Sequence, residues 1–479
     1  MATIEKPNLN CCFIGHVDSG KSTTVGNLAY QLGFVDERKM EKLRKEAELK
    51  GRDSFSYAYV TDINAAERDR GITITTTLIK LETGKFKLNV IDCPGHKDFI
   101  KNMVTGAAQA DVGCVIVPSA GNEFESAISG GTLRDHIMVS GVLGVKKLIC
   151  CVNKLDGVPA AEQENRFKEV AEEMKRIITR THPDKNPCII PISGFKGINI
   201  VEKGEKFSWF KGWKPDPKDD SVAIFTLEGA LDWQTVPVRP LSDPLRMPIV
   251  GVHKIPGIGS VYTGRVDCGT IKPNMPITIE PTGIVAEIKS LEIHKVAQTQ
   301  VVAGENCGLA LKAVSKGDPN LIKAGCVVSD AKNNPIKVYE GCRAKIVIID
   351  HPKGVKVGYC PIMDLGTHHV PVKIVKFIEK RMPSVKEAIP VPEMVCKGEN
   401  AICILIPQKP TVMEEIKSCP SLARFALRDG GRIVAIGAIE SRYTAEELKK
   451  ECGDDVLEKA GLVSKNPIAD KKGDKKKKK

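Results

Sequence analysis

"FIGHVDSGKSTT" occupies residues 13–24, between an apolar run and a helix-like one. Its spacing, Gly15-x-x-x-x-Gly20-Lys21-Ser22, is the phosphate-loop pattern. Glycines there let the backbone curl until its N–H groups point at phosphate oxygens. Lys21 brings positive charge to the outer phosphates, and the Ser22 hydroxyl offers a ligand to Mg²⁺. A helix starting here adds its positive N-terminal end. The run Gly15, His16, Val17, Asp18, Ser19, Gly20, Lys21, Ser22 and Thr23 is therefore expected to hold a nucleotide's phosphates.

The flanking chain supports that context. "LNCCFIG" (9–15), "KLNVIDC" (87–93), "DVGCVIV" (111–117), "KKLICCVN" (146–153) and "CIIPIS" (188–193) are short apolar runs, as strands buried on both faces require. Residues 160–181 carry Phe167, Val170, Met174 and Ile177–Ile178 at helical spacing. Such alternation predicts an α/β phosphate-loop domain with a doubly wound, mostly parallel sheet. The prolines of "QTVPVRPLSDPLRMP" (234–248) read as a linker. Beyond it, short β-branched runs separated by glycine and proline predict two barrels or sandwiches, with a break near "DAKNNPIK" (330–337).

A phosphate loop does not choose a base. "NKLD" (153–156), directly after the fourth apolar run, does. The Asp156 carboxylate can accept from both N1–H and the 2-amino group of guanine, a donor pair adenine lacks. Asn153 and Lys154 brace the loop and cover the ring, and Ser193, Gly194 and Phe195 follow the next strand, where a backbone N–H can read guanine O6. In "DCPGH" (92–96), Asp92 is placed to hold Mg²⁺ through water, and Gly95 leaves its N–H open to the γ-phosphate. His96 then lies where it can position the attacking water. In "RGITI" (70–74), Thr73 can close over Mg²⁺ and phosphate. Lys21, Thr73 and His96 are the expected catalytic residues, and Ser22, Thr73 and Asp92 the expected metal site. This is the design of a GTP/GDP switch with two segments ordered by the third phosphate.

Composition sets bounds. At 479 residues, with 42% apolar and 27% charged residues, the chain predicts a soluble protein of several domains. It has no signal peptide and no apolar run of about 18 residues, so a cytoplasmic protein without membrane contact is expected. The 16 cysteines are scattered without a C-x-x-C pair, and read as buried small hydrophobes. The net charge of +12 favours a polyanionic partner, RNA foremost, and the terminal "KKGDKKKKK" reads as a solvated tail.

Taken together, "GHVDSGKST", "ERDRGITI", "DCPGHKDFIKNMVTGAAQAD", "NKLD", "WFKGWK" (209–214), "GRVDCG" and "RFALRDGGRIVAIG" resemble the translation elongation factor 1-alpha family, counterparts of elongation factor Tu. The likeness runs from about residue 8 to 443. It implies a GTPase domain over 1–238, β-barrels over 239–333 and 334–443, and a polar helix-like segment with a lysine tail over 444–479. It implies GTP-dependent delivery of aminoacyl-tRNA to the ribosomal A site, and a guanine-nucleotide exchange factor as partner. "SLEIHK" (290–295) resembles the segment that receives the aminoacyl end of tRNA, which carries over to Glu292 and His294. Cys93, Leu155 and Phe195 stand where the family usually has alanine, methionine and tryptophan; none removes a needed ligand group. "SGGTLRDH" (129–136) reads as a shortened family segment. Two alternatives remain open at this point: a paralogous decoding GTPase serving a release or rescue factor, and an actin or RNA scaffold using the basic tail. Against the scaffold, Lys21, Asp92 and Asp156 are all retained.

Overall fold

The computed structural model describes residues 6–257, 259–382 and 387–453. The five apolar runs become strands of one sheet: β1 (Asn8–Ile14), β3 (Lys87–Asp92), β4 (Val112–Pro118), β5 (Lys147–Asn153) and β6 (Cys188–Pro191), with β2 (Thr77–Glu82) at one edge. The order is β2-β3-β1-β4-β5-β6. β2 runs antiparallel to β3 and the rest are parallel. Sequence analysis missed β2, whose side chains alternate between solvent and the sheet's margin instead of forming an apolar run.

Strand pleating decides where each residue goes. Cys11 and Phe13 face one core with Val25, Leu28 and Ile190. Their neighbours Cys12 and Ile14 face the other, with Met103, Ile137 and Phe167. Vicinal cysteines therefore point to opposite faces. The predicted long helix spans Gln163–Thr181 and buries Phe167, Val170, Met174 and Ile178. It starts later than expected because the chain first turns at Pro159.

Each following unit closes on itself. In the first barrel Pro276–Glu280, Val327–Asp330, Met247–Ile255, Gly259–Arg265, Asn306–Lys316 and Ile284–Ile293 pair in that order, and the last returns to the first. In the second the ring is Ile362–Leu365, Arg424–Asp429, Arg432–Tyr443, Gly341–Ile348, Asn400–Pro407 and His368–Arg381. Closure removes open edges, so these are barrels and not sandwiches.

The proline-rich stretch is more than a spacer. Pro248 already belongs to a barrel strand, where it pairs with Val327. Arg239 and Arg265 both reach Asp111 at 2.7 Å, tying the linker and the first barrel to the sheet domain. Arg246 and Arg442 grip Glu414 at 2.8 and 2.6 Å, tying barrel to barrel. Ala426 and Ile433 of the second barrel pack into the core around Ile137. After Tyr443, Thr444 caps the helix Ala445–Cys452. The lysine tail lies outside the described residues.

Candidate functional site

The carboxyl ends of β1, β3 and β5 open onto one cavity of about 430 Å³, the crevice where open parallel sheets bind ligands. Backbone geometry shapes it. Gly15 has φ +149°, and a Cβ there would lie 2.4 Å from the Ile116 carbonyl oxygen. Gly20, at φ +90°, caps the helix Lys21–Gln31, and a Cβ there would strike the Asn153 amide at 2.4 Å. Across the cavity, a Cβ on Gly95 would sit 2.5 Å from Lys21 Nζ.

Lys21 Nζ donates to the His16 carbonyl at 2.6 Å. Burial pulls its pKa below the ordinary lysine range, with Asp92 and Asp18 opposing. Beside it, the Ser22 and Thr73 hydroxyls lie 2.9 Å apart, and Thr73 donates to Asp62 Oδ1 at 3.0 Å. Asp92 is fully buried, and neither carboxylate oxygen has a hydrogen-bond partner of ordinary geometry. Burial pushes its pKa up, against the Ser22 hydroxyl and Lys21 ammonium. Asp62 is pushed up to about 7, by burial first and then by Asp92. Uncompensated buried acceptors beside two hydroxyls are hard oxygen donors awaiting a cation, and they suit Mg²⁺.

At the other end, Asn153 joins three loops. Its Nδ2 donates to the Ser19 carbonyl and its Oδ1 accepts from Gly194 N–H, both at 2.8 Å. Asn27 holds the Gly194 carbonyl at 2.8 Å. Asp156 sits 3.2 Å from Lys196. Lys154, left-handed at φ 64°, pairs with Glu123 at 2.8 Å. Phe195 is half exposed, edge-on to Tyr57. His96 lines the cavity between the two ends. Its Nδ1 accepts from Asp98 N–H at 3.2 Å, so the neutral ring carries its proton on Nε2. A ring in that state suits holding a water better than abstracting its proton.

The cavity wall thus gathers Val17, Asp18, Gly20, Lys21, Ser22, Thr23, Thr73, Gly95, His96, Asn153, Lys154, Asp156 and Phe195. Gly15, His16, Ser19, Asp92, Ser193 and Gly194 stand behind it as support. The His16 ring turns to Thr132, whose hydroxyl donates to the Gly95 carbonyl at 2.8 Å. Glu292 and His294 are not brought to this site. Glu292 ends a strand of the first barrel, and His294 follows it at φ 49°, 3.2 Å from Asn89 of β3. Sequence reasoning missed Ser54, Phe55, Ala58 and Asp62, which also line the wall. They come from short turns without periodicity, and no motif spacing marks them.

A phosphate-loop α/β domain followed by two closed barrels is the architecture of a GTP-binding translation factor. Three family models cover the chain in order: "Elongation factor Tu GTP binding domain" over residues 6–237, "Elongation factor Tu domain 2" over 259–329, and "GTP-eEF1A C-terminal domain-like" over 341–440. The chain is 51% identical over 474 residues to elongation factor 1-alpha of Encephalitozoon cuniculi (strain GB-M1), covering 99% of this chain and 98% of that one. Two solved structures share the fold at low identity. The Saccharomyces cerevisiae Ski7 GTPase-like domain bound to GTP has TM-score 0.73 and 16% identity, over 91% of this chain and 98% of that one. Translation elongation factor SelB of Methanococcus maripaludis with the GTP analogue GPPNHP has TM-score 0.64 and 19% identity, over 93% and 82%. The chain belongs to the elongation factor 1-alpha family. It is a GTPase that delivers aminoacyl-tRNA in translation elongation.

Proposed function

We propose that the two ends of the cavity divide the work of this GTPase. Asp156, braced by Asn153 and Lys154, selects guanine. Lys21, with the backbone of residues 15–23 and Gly95, binds the phosphates. Ser22 and Thr73, with Asp92 through water, would hold Mg²⁺, and Asp62 supports Thr73 from behind. When bound, Mg²⁺ neutralises charge on the outer phosphates. His96 orients water toward the third phosphate. The observation that carries this reading is the buried Asp92 carboxylate, without a hydrogen-bond partner beside Ser22 and Thr73, opposite the loop that Asn153 braces.

With GTP bound, Thr73 and Gly95 are drawn to the third phosphate. Hydrolysis releases both segments and changes the surface that the barrels and RNA meet. Glu292 and His294 then serve the aminoacyl end of tRNA, the His294–Asn89 contact carrying the nucleotide state to the first barrel. An exchange factor accelerates GDP release, action takes place in the cytoplasm, and the basic tail adds contacts to RNA or actin. A charged-tRNA protection assay tests the reading. Protection of the aminoacyl ester with GTP and its loss with GDP are expected; equal protection with both refutes the switch. Loss of protection in His294→Ala with unchanged GTP affinity supports the tRNA role, and unchanged protection removes it.

A further inference from the structure

All cysteines are free thiols, and two pairs of sulfurs lie within hydrogen-bonding distance. Cys11 and Cys114, 3.4 Å apart, are sealed in the sheet between β1 and β4. Cys268 and Cys419, 3.6 Å apart, are different. They come from separate barrels and meet at the junction. Both line a second cavity, of about 380 Å³, whose rim includes the exposed Asn334, Lys417 and Ser418. A small solute in water therefore has a route to these sulfurs, although each residue is itself almost fully covered.

The two cysteines belong to a small apolar cluster with Val327, Ile336, Val412 and Leu422. Arg246, Arg442 and Lys417 contribute positive charge to the same cavity, with Glu414 engaged by the two arginines. The Cys419 thiol is held above its ordinary pKa first by its hydrogen bond to Cys268 and then by burial. Either sulfur of the pair can donate to the other. The Ser421 hydroxyl lies 3.3 Å from Cys419 Sγ on the other side. To bond, the sulfurs must approach from 3.6 Å to about 2.05 Å.

We propose that Cys268 and Cys419 are a peroxide-oxidation site, forming a reversible disulfide that joins the two barrels covalently. The Cys268 sulfur, losing its proton, attacks one peroxide oxygen and breaks the O–O bond, giving the sulfenic acid, and the leaving hydroxide takes up that proton as water. The Cys419 sulfur then attacks the sulfenic sulfur, losing its own proton and displacing a second water. Two thiols are oxidised to one disulfide, and one hydrogen peroxide is reduced to two waters. The bond closes a long loop across the barrel junction and fixes the geometry that Arg246, Glu414 and Arg442 hold by charge.

The test uses the full chain, treated with hydrogen peroxide, alkylated, digested without reductant and mapped by mass spectrometry. The expected product is one peptide pair linking Cys268 to Cys419, two hydrogens lighter than its parts and lost on adding dithiothreitol. The thermal midpoint should rise by several degrees on oxidation and return on reduction. Cys268→Ser and Cys419→Ser should each remove both the linked pair and the rise. The exposed Cys360 calibrates the dose. If Cys360 is alkylation-resistant while the junction pair stays reduced, the proposal fails. It also fails if either junction cysteine ends as sulfinic or sulfonic acid alone, or links to another cysteine. Should a serine variant not fold, the wild-type peptide map decides.

Discussion

Two sets of buried carboxylates divide this molecule. At the domain junctions, Asp111 is gripped by Arg239 and Arg265 and Glu414 by Arg246 and Arg442, and within the second barrel Asp364 is gripped by His369 and Arg428. Burial alone would raise Asp111 and Asp364, yet their cationic partners hold both below the ordinary range. At the nucleotide cavity, Asp92 and Asp62 are also buried, and both are raised. The difference separates charge used for architecture from charge kept for a ligand. A junction carboxylate is paired with cations inside the chain; in the cavity Asp62 meets only the Thr73 hydroxyl and Asp92 has no hydrogen-bond partner.

The largest effect is expected at the junctions. Asp111→Ala leaves two buried guanidiniums unpaired and should cost about 3–5 kcal/mol of stability, read by denaturant unfolding. A loss no greater than that of a surface substitution would erase the contrast. A smaller effect is expected at His368 of the second barrel, whose pKa burial lowers to about 4. The unfolded chain binds this proton near pH 6.5 and the folded one does not. Stability should therefore be full above that pH and decline as pH falls from about 6.5 to 4, by about 1–2 kcal/mol at pH 5. His368→Gln should flatten that part of the profile.

A third effect has the opposite sign. Asp62 keeps its proton in the folded state up to about pH 7, whereas the unfolded chain releases it near 4. Nucleotide-free protein should lose stability as pH rises through that window. Asp62→Asn should raise its stability at pH 7, by up to about 3–4 kcal/mol, while weakening Mg²⁺-dependent GTP binding. Lower stability together with undiminished GTP affinity would place Asp62 with the architectural set.

The phosphate loop and base loop were legible because each needs fixed residue types at fixed spacing next to an apolar strand. The five parallel strands were legible because burial on both faces leaves continuous apolar runs. β2 was not, since an edge strand buries little. Nor was the choice of barrel over sandwich without the family likeness, because closure depends on pairing between distant strands such as Pro276–Glu280 with Val327–Asp330. Asp62 was hidden because its role depends on the fold bringing it to Thr73. The junction arginines look in sequence like any surface charge; only the structure shows Asp111 beneath them.

The most direct test of the divided cavity is nucleotide competition on Asp156→Asn. The carboxamide replaces an acceptor with a donor, so the base preference should move from guanine toward xanthine by about 1–3 kcal/mol, or roughly tenfold to a hundredfold. Unchanged preference for GTP over XTP in a folded variant would contradict the assignment of Asp156 as the base reader.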